Sequence, residues 1–137
     1  MKILDKSYEL AIKLFPDRYK THKSRNFYHF SFIFHRNRLL TIGVNSQDKP
    51  NAKALFFAKR FGIKRKIEFP YIHSEISGIC KLWGNYHIDG SVKFVNVRIN
   101  RFGELKNSKP CDDCSTVLTA LGINEIYYST NEGFIKL

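Results

Sequence analysis

The sequence predicts an α/β domain of three layers: a mixed five-stranded sheet with helices on both faces and a last strand antiparallel to its neighbour. Three observations predict it. Strand-like and helix-like runs follow one another in the order α-β-β-(α)-α-β-α-β-β. The segment from Val92 to Thr130 reads strand-helix-strand, which demands a parallel pair joined by a right-handed crossover. An opening hairpin and a final tight turn add antiparallel edges.

Each element has a local reason. Leu4, Tyr8, Ala11 and Phe15 recur at helical spacing, Asp5 and Ser7 are candidate caps, and Pro16 is expected to stop this first helix. Phe27 to His35 is rich in Phe and Tyr and Leu39 to Asn45 is apolar, so with Arg36-Asn37-Arg38 between them they predict a hairpin. Pro50 to Phe61 reads as a short helix closed by Gly62, with Lys53, Lys59 and Arg60 on its polar side. A second main helix is expected from His73 to about Trp83, with Gly84 as its stop. Val92 to Asn100 alternates like a strand. Pro110 to Leu121 carries proline in its first turn and Gly122 just past its end, the polarity of a helix. Ile123 to Thr130 is a strand, Asn131-Glu132-Gly133 turns the chain, and Phe134 to Leu137 returns.

Composition narrows the function classes. At 137 residues with 43% hydrophobic side chains, the chain has the material for one packed core, read as a single domain over 1–137. Its longest apolar runs are about five residues, against roughly 20 for a membrane span. Met1-Lys2-Ile3-Leu4-Asp5-Lys6 lacks the apolar segment of a secretory signal, which predicts a cytoplasmic location. Three cysteines are an odd number and argue against a disulfide framework, leaving metal binding or catalysis. The net charge is +11, and residues 1–66 carry 16 basic against 4 acidic side chains. Such an asymmetry favours a polyanion or a phosphate as partner over a merely solvated surface.

Two short strings carry chemistry, His73-Ser74-Glu75 and Pro110-Cys111-Asp112-Asp113-Cys114, and each opens an expected helix. Cys111 and Cys114 are three apart and so share one side of a helical turn. The amide groups and positive dipole of a helix start lower thiol pKa values and favour the thiolates that zinc takes. With His73 they make a three-ligand zinc set that leaves a fourth position for water, the catalytic pattern. Glu75 projects differently from His73 and is free to move protons. A structural zinc knuckle or a redox pair is the competing reading of the cysteines. Cys80, the nearest fourth ligand, lies about 10 Å further along the same helix as His73 and reads as a small buried hydrophobe. His22, His29, His35 and His87 have no partner spacing and read as surface or strand histidines. One of Phe27 and Tyr28 faces away from the core, and Tyr28 is the candidate to meet a substrate.

The order H-x-E…P-C-x-x-C is the signature of zinc nucleobase deaminases. With Gly43-Val44-Asn45 and Ser108-Lys109 in sequence before and between them, these motifs resemble the cytidine/deoxycytidylate deaminase superfamily, most of all its phage-type deoxycytidylate deaminase-like branch. The resemblance implies a cytidine deaminase-like sandwich in which His73, Cys111 and Cys114 bind Zn2+, Glu75 shuttles protons and Asn45 holds the sugar. It implies that Ser74 faces the base pocket and that the backbone at Pro110 or Cys111 accepts from the exocyclic amine. Trp83 and Tyr86, just after the second main helix, read as core or edge aromatics, with stacking on a base as the alternative for Trp83. The resemblance also sets Arg36, Arg38, Lys59, Arg60, Lys64, Arg65 and Lys66 beside segments that flank the pocket mouth. Ser115 and Thr116 stand where free-cytidine deaminases carry Arg-Gln, and Gln47 and Asp48 where they carry Glu-Asn. The tight turn at Asn131 leaves no helix between the last two strands, unlike the tRNA-adenosine and vertebrate polynucleotide branches. The expected activity is conversion of cytosine to uracil, with single-stranded DNA the favoured substrate because a basic half with interspersed aromatics suits a strand-tracking groove. A deaminase of deoxycytidylate or free cytidine is the alternative, and a non-catalytic zinc module that binds nucleic acid is the alternative of another class.

Overall fold

The computed structural model describes residues 1–21, 27–45, 52–62, 73–82 and 86–137. The described chain runs α1 (Lys2–Thr21), β1 (Phe27–His35), β2 (Arg38–Val44), α2 (Ala52–Phe61), α3 (Ser74–Leu82), β3 (Val92–Asn100), β4 (Leu105–Lys106), α4 (Asp112–Ala120), β5 (Glu125–Thr130) and β6 (Gly133–Lys136). The strands order as β2-β1-β3-β5-β6, with β4 paired to β3 off this path. Only β3 and β5 are parallel; β1 pairs antiparallel with both β2 and β3, and β6 pairs antiparallel with β5. The expected mixed sheet with an antiparallel last strand is therefore present, with β4 as a sixth strand. That two-residue strand is too short to leave a periodic signal.

Side-chain alternation assigns the two faces. Tyr28, Phe30, Phe32 and Phe34 of β1 join Val95, Val97 and Ile99 of β3 against Ile3 and Ala11 of α1. Ile33 of β1 joins Val92 and Phe94 of β3 against Ile76 and Ile79 of α3 and Val117 and Leu118 of α4. The sheet thus has helices on both faces. No helix among the described residues is long and apolar enough to cross a membrane.

The first helix departs from expectation at both ends. It begins at Lys2, so Asp5 and Ser7 lie inside it; Ser7 is buried and donates its hydroxyl to the Ile3 carbonyl at 2.6 Å. Pro16 does not stop it, and the helix continues to Thr21. Proline forfeits one ladder bond, but Phe15 and Tyr19 on either side of it pack edge-on against Tyr28, with ring centroids 5.1 and 6.4 Å away. Tertiary contact outweighs the local break.

One close approach positions α3. A Cβ on Gly43 of β2 would sit 2.0 Å from the Ser74 carbonyl oxygen and 2.5 Å from the Gly78 amide nitrogen. Backbone therefore lies on backbone, and the α3 N-terminus is seated directly over the sheet. Because the obstructing atoms are main chain, Gly43→Ala forces α3 away from β2. We expect a loss at the upper end of roughly 1–3 kcal/mol. Calorimetry should show a melting temperature about 10 °C lower; an unchanged value would contradict this seating.

Candidate active site

Two helix starts converge here. His73 immediately precedes α3, and its carbonyl accepts the Ser77 amide at 2.9 Å, so the histidine caps that helix. Cys111 is the N-cap of α4, with extended backbone (φ −65°, ψ 164°), and its sulfur accepts the Cys114 amide at 3.4 Å. His73 Nδ1 then lies 3.4 Å from Cys114 Sγ and 3.7 Å from Cys111 Sγ. All three donor atoms fall within 4.8 Å of one another. Tetrahedral zinc, with sulfur at about 2.3 Å and nitrogen at about 2.0–2.1 Å, sets nitrogen and sulfur about 3.6 Å apart. The donor set fits a zinc ion in type and in spacing.

The two thiols differ. Cys111 is held down to about 3, first by the hydrogen bond it receives from the Cys114 thiol, then by His73 and the Cys114 amide. Cys114 is pushed up, because it shares its proton with Cys111, because it is buried, and because the Glu75 charge is near. The two thiols are thus driven in opposite directions, Cys111 down and Cys114 up, by the hydrogen bond they share.

Glu75 is 5% exposed, and its Oε1 accepts the Ser74 hydroxyl at 2.8 Å. Ser74 is bonded at 2.8 Å to Ser31 of β1, which in turn reaches the Asn96 side-chain oxygen on β3. Asn96 Nδ2 donates to the Ser108 carbonyl at 3.1 Å, and the Ser108 hydroxyl donates back to the Asn96 carbonyl at 2.9 Å. A cavity of about 170 Å3 opens here, and Asn45, His73, Ser74, Glu75, Ser108 and Cys111 contribute to its wall. His29, Arg98, Asn107 and Lys109 complete the lining.

Of the expected site residues, the structure brings together His73, Cys111, Cys114, Glu75, Ser74 and Asn45. Pro110 is buried between two lining residues, and its carbonyl accepts Ser115 Oγ at 3.5 Å. Tyr28 is a correction: it is 2% exposed beneath α1, on the other face of the sheet, and cannot meet a substrate. Arg36 and Arg38 are a second correction. They sit at the β1–β2 turn, and five residues along a strand from Ser31 is about 17 Å, so they occupy the opposite end of the sheet from the cavity. Lys59 and Arg60 are exposed on α2 and do not line the cavity. Trp83, Lys64, Arg65 and Lys66, like Gln47 and Asp48, lie outside the described residues. Cys80 packs beside the α3–α4 core and is not part of the metal-donor cluster. His29, expected as a surface or strand histidine, lies in β1 and also lines the cavity beside Arg98.

No family model and no curated protein sequence matches the chain. Among solved structures it is similar to cytidine deaminase from Mycobacterium leprae, with a TM-score of 0.51 and 21% identity over 94% of this chain and 88% of that one. It is also similar to dCMP deaminase from the cyanophage S-TIM5, with a TM-score of 0.47 and 18% identity. That match covers 73% of this chain and 64% of the cyanophage protein. The expected cytidine deaminase-like α/β architecture is thus met, and the His/Cys/Cys cluster lies within it.

The thiol asymmetry has a chemical readout. An ordinary thiol near 8.5 loses reactivity about tenfold per pH unit below its pKa. Cys111, ionised down to about 3, should alkylate with iodoacetamide at a nearly constant rate from pH 8 to 5 in chelator-treated protein. Added zinc should suppress the reaction. Peptide mapping that found Cys111 slowing about tenfold per pH unit toward acid would contradict the assignment.

Proposed function

We propose that the chain is a zinc-dependent hydrolytic deaminase, a single domain over 1–137, acting on the cytosine of a nucleoside or nucleotide. One observation carries the reading: a buried carboxylate, Glu75, shares a cavity wall with His73 and Cys111, two of the three residues of the metal-donor cluster. A closed structural site has four protein ligands, and the described residues supply three.

Zinc held by His73, Cys111 and Cys114 supplies the Lewis acidity that makes water nucleophilic near neutral pH. Glu75 takes the proton from the attacking water and delivers it to N3 of the ring. A second proton transfer through the same carboxylate reaches the exocyclic amine, the C4–N bond breaks, and uracil and ammonia result. Ser74 orients Glu75 by donating to Oε1. Asn45, 7% exposed in the wall, is suited to hold the sugar.

A small substrate is better supported than single-stranded DNA. Arg36 and Arg38, which a strand-tracking groove would need at its mouth, lie at the far end of the sheet.

Glu75→Gln keeps the shape of the buried side chain and removes its basicity. Uracil formation from deoxycytidine or dCMP should fall by about 10²–10⁴-fold, while elemental analysis finds zinc at the wild-type ratio. If zinc is lost with activity, Glu75 is a ligand and this mechanism fails. If the wild type forms no uracil compound, the non-catalytic zinc module is the better reading.

A further inference from the structure

On the sheet face turned to α3 and α4, β3 presents Val92, Phe94, Asn96 and Arg98 in succession. Antiparallel to it, β1 presents Ile33, Ser31 and His29. The apolar residues lie in the core, Ser31 and Asn96 support Ser74, and the cross-strand pair His29 and Arg98 comes next along the strands. Two residues of strand is about 6.6 Å. Arg98 therefore lines the cavity one step along β3 from Asn96, the residue whose contact with Ser31 supports Ser74 and so Glu75.

The Arg98 guanidinium is held but not neutralised. It lies 4.0 Å over the Phe27 ring, and Nη1 donates to the Asn107 carbonyl at 3.2 Å. Its Nε is buried with no hydrogen-bond partner, and no carboxylate among the described residues pairs with it. Burial lowers its pKa, the sign of a cation poorly served by solvent. A buried guanidinium N–H without a partner is costly, and an anionic ligand would supply one. Asn107 Oδ1 accepts the Lys109 amide at 2.8 Å and turns the loop so that Lys109, exposed to solvent, borders the same cavity. Glu75 is the one acid in the described lining, and it is tied to Ser74 beside the sulfur donors.

We infer that Arg98 and Lys109 form a subsite for the 5′-phosphate of a single nucleotide, which makes a pyrimidine nucleoside monophosphate the preferred ligand of this cavity. The inference rests on the deaminase reading for the identity of the base and on Arg98 and Lys109 for the phosphate. A guanidinium braced by a ring and a carbonyl keeps N–H groups for a planar, charge-assisted contact with phosphate oxygens.

The test is a binding measurement that needs no turnover. Calorimetric titration of the zinc-loaded chain should show dUMP binding about 10- to 100-fold tighter than deoxyuridine, the scale of a charge-assisted pair. Arg98→Gln should reduce that advantage to under about threefold, with Arg98→Lys in between because charge remains and the fork is lost. Lys109→Gln changes an exposed side chain that folding does not depend on, and should reduce the advantage by about threefold. Equal binding of dUMP and deoxyuridine by the wild type overturns the subsite, as does an undiminished advantage in either Gln variant. In turnover, the ratio of kcat/KM for dCMP to that for deoxycytidine should fall by the same factor in Arg98→Gln. Faster turnover of a cytosine-containing oligonucleotide than of dCMP overturns the mononucleotide assignment. A phosphate preference in binding with no uracil formed leaves the subsite standing and removes the deaminase reading; uracil formed without the preference does the reverse.

Discussion

A buried chain of hydrogen bonds joins the two segments that carry the metal donors. It runs from Ser74 beside His73, through Ser31 on β1 and Asn96 on β3, to Ser108 three residues before Cys111, and on to Ser129 of β5 at 2.9 Å. All five residues are nearly inaccessible to solvent. Each bond has a net worth of only about 0.5–1.5 kcal/mol, but a buried partner left unsatisfied costs about 1–3. A shift of either helix start therefore orphans several polar groups at once, and the pair of starts is held in one register. Sulfur and nitrogen donors brought to a common 3.4–3.7 Å spacing are the visible result.

The relay works because the sheet changes character along its length. Ile33, Val92 and Phe94 fill the face under α3 and α4 with apolar volume, and one step later the same face turns polar at Ser31 and Asn96. The apolar end anchors the helices by burial. The polar end, under the helix N-termini, leaves room and hydrogen-bond partners for a ligand. Gly43 belongs to the same design, because without its missing Cβ the Ser74 carbonyl could not approach β2 and Ser74 could not reach Ser31.

Much of this was legible in the sequence, for identifiable reasons. His73, Glu75, Cys111 and Cys114 announce themselves because their spacing is local to two helix starts, and local spacing survives ignorance of the fold. The crossover from Val92 to Thr130 was equally readable, since handedness and strand polarity follow from a strand-helix-strand run. Arg98 and His29 were not, because their meeting depends on the antiparallel register of β1 and β3, a long-range pairing. A signal was present: Asn96 and Arg98 break the apolar side of a strand that begins with Val92 and Phe94, and Ser31 interrupts a run of aromatics. Tyr28 failed for the opposite reason, since a helix that ignores Pro16 covers the face it was expected to leave open. The basic excess of residues 1–66 carries no information about which end of a strand its members occupy, and Arg36 and Arg38 lie at the end away from the cavity.

What remains of that charge argument is local and stronger for being so. In the proposed site, where zinc would balance the two cysteine sulfurs, Glu75 is the acid of the described lining and Arg98 and Lys109 are its Arg and Lys cations. The proposed subsite favours entry of a neutral ring with a dianionic tail in one sense, ring toward Glu75 and phosphate toward Arg98. Reversed, its phosphate would face the carboxylate and leave the guanidinium without an anion. The same field that orients the ring toward Glu75 is weak for an uncharged nucleoside, so orientation and preference for the phosphorylated form have one electrostatic origin. The asymmetry depends on a handful of side chains around one cavity, and the other twenty or so cations of the chain are not needed for it.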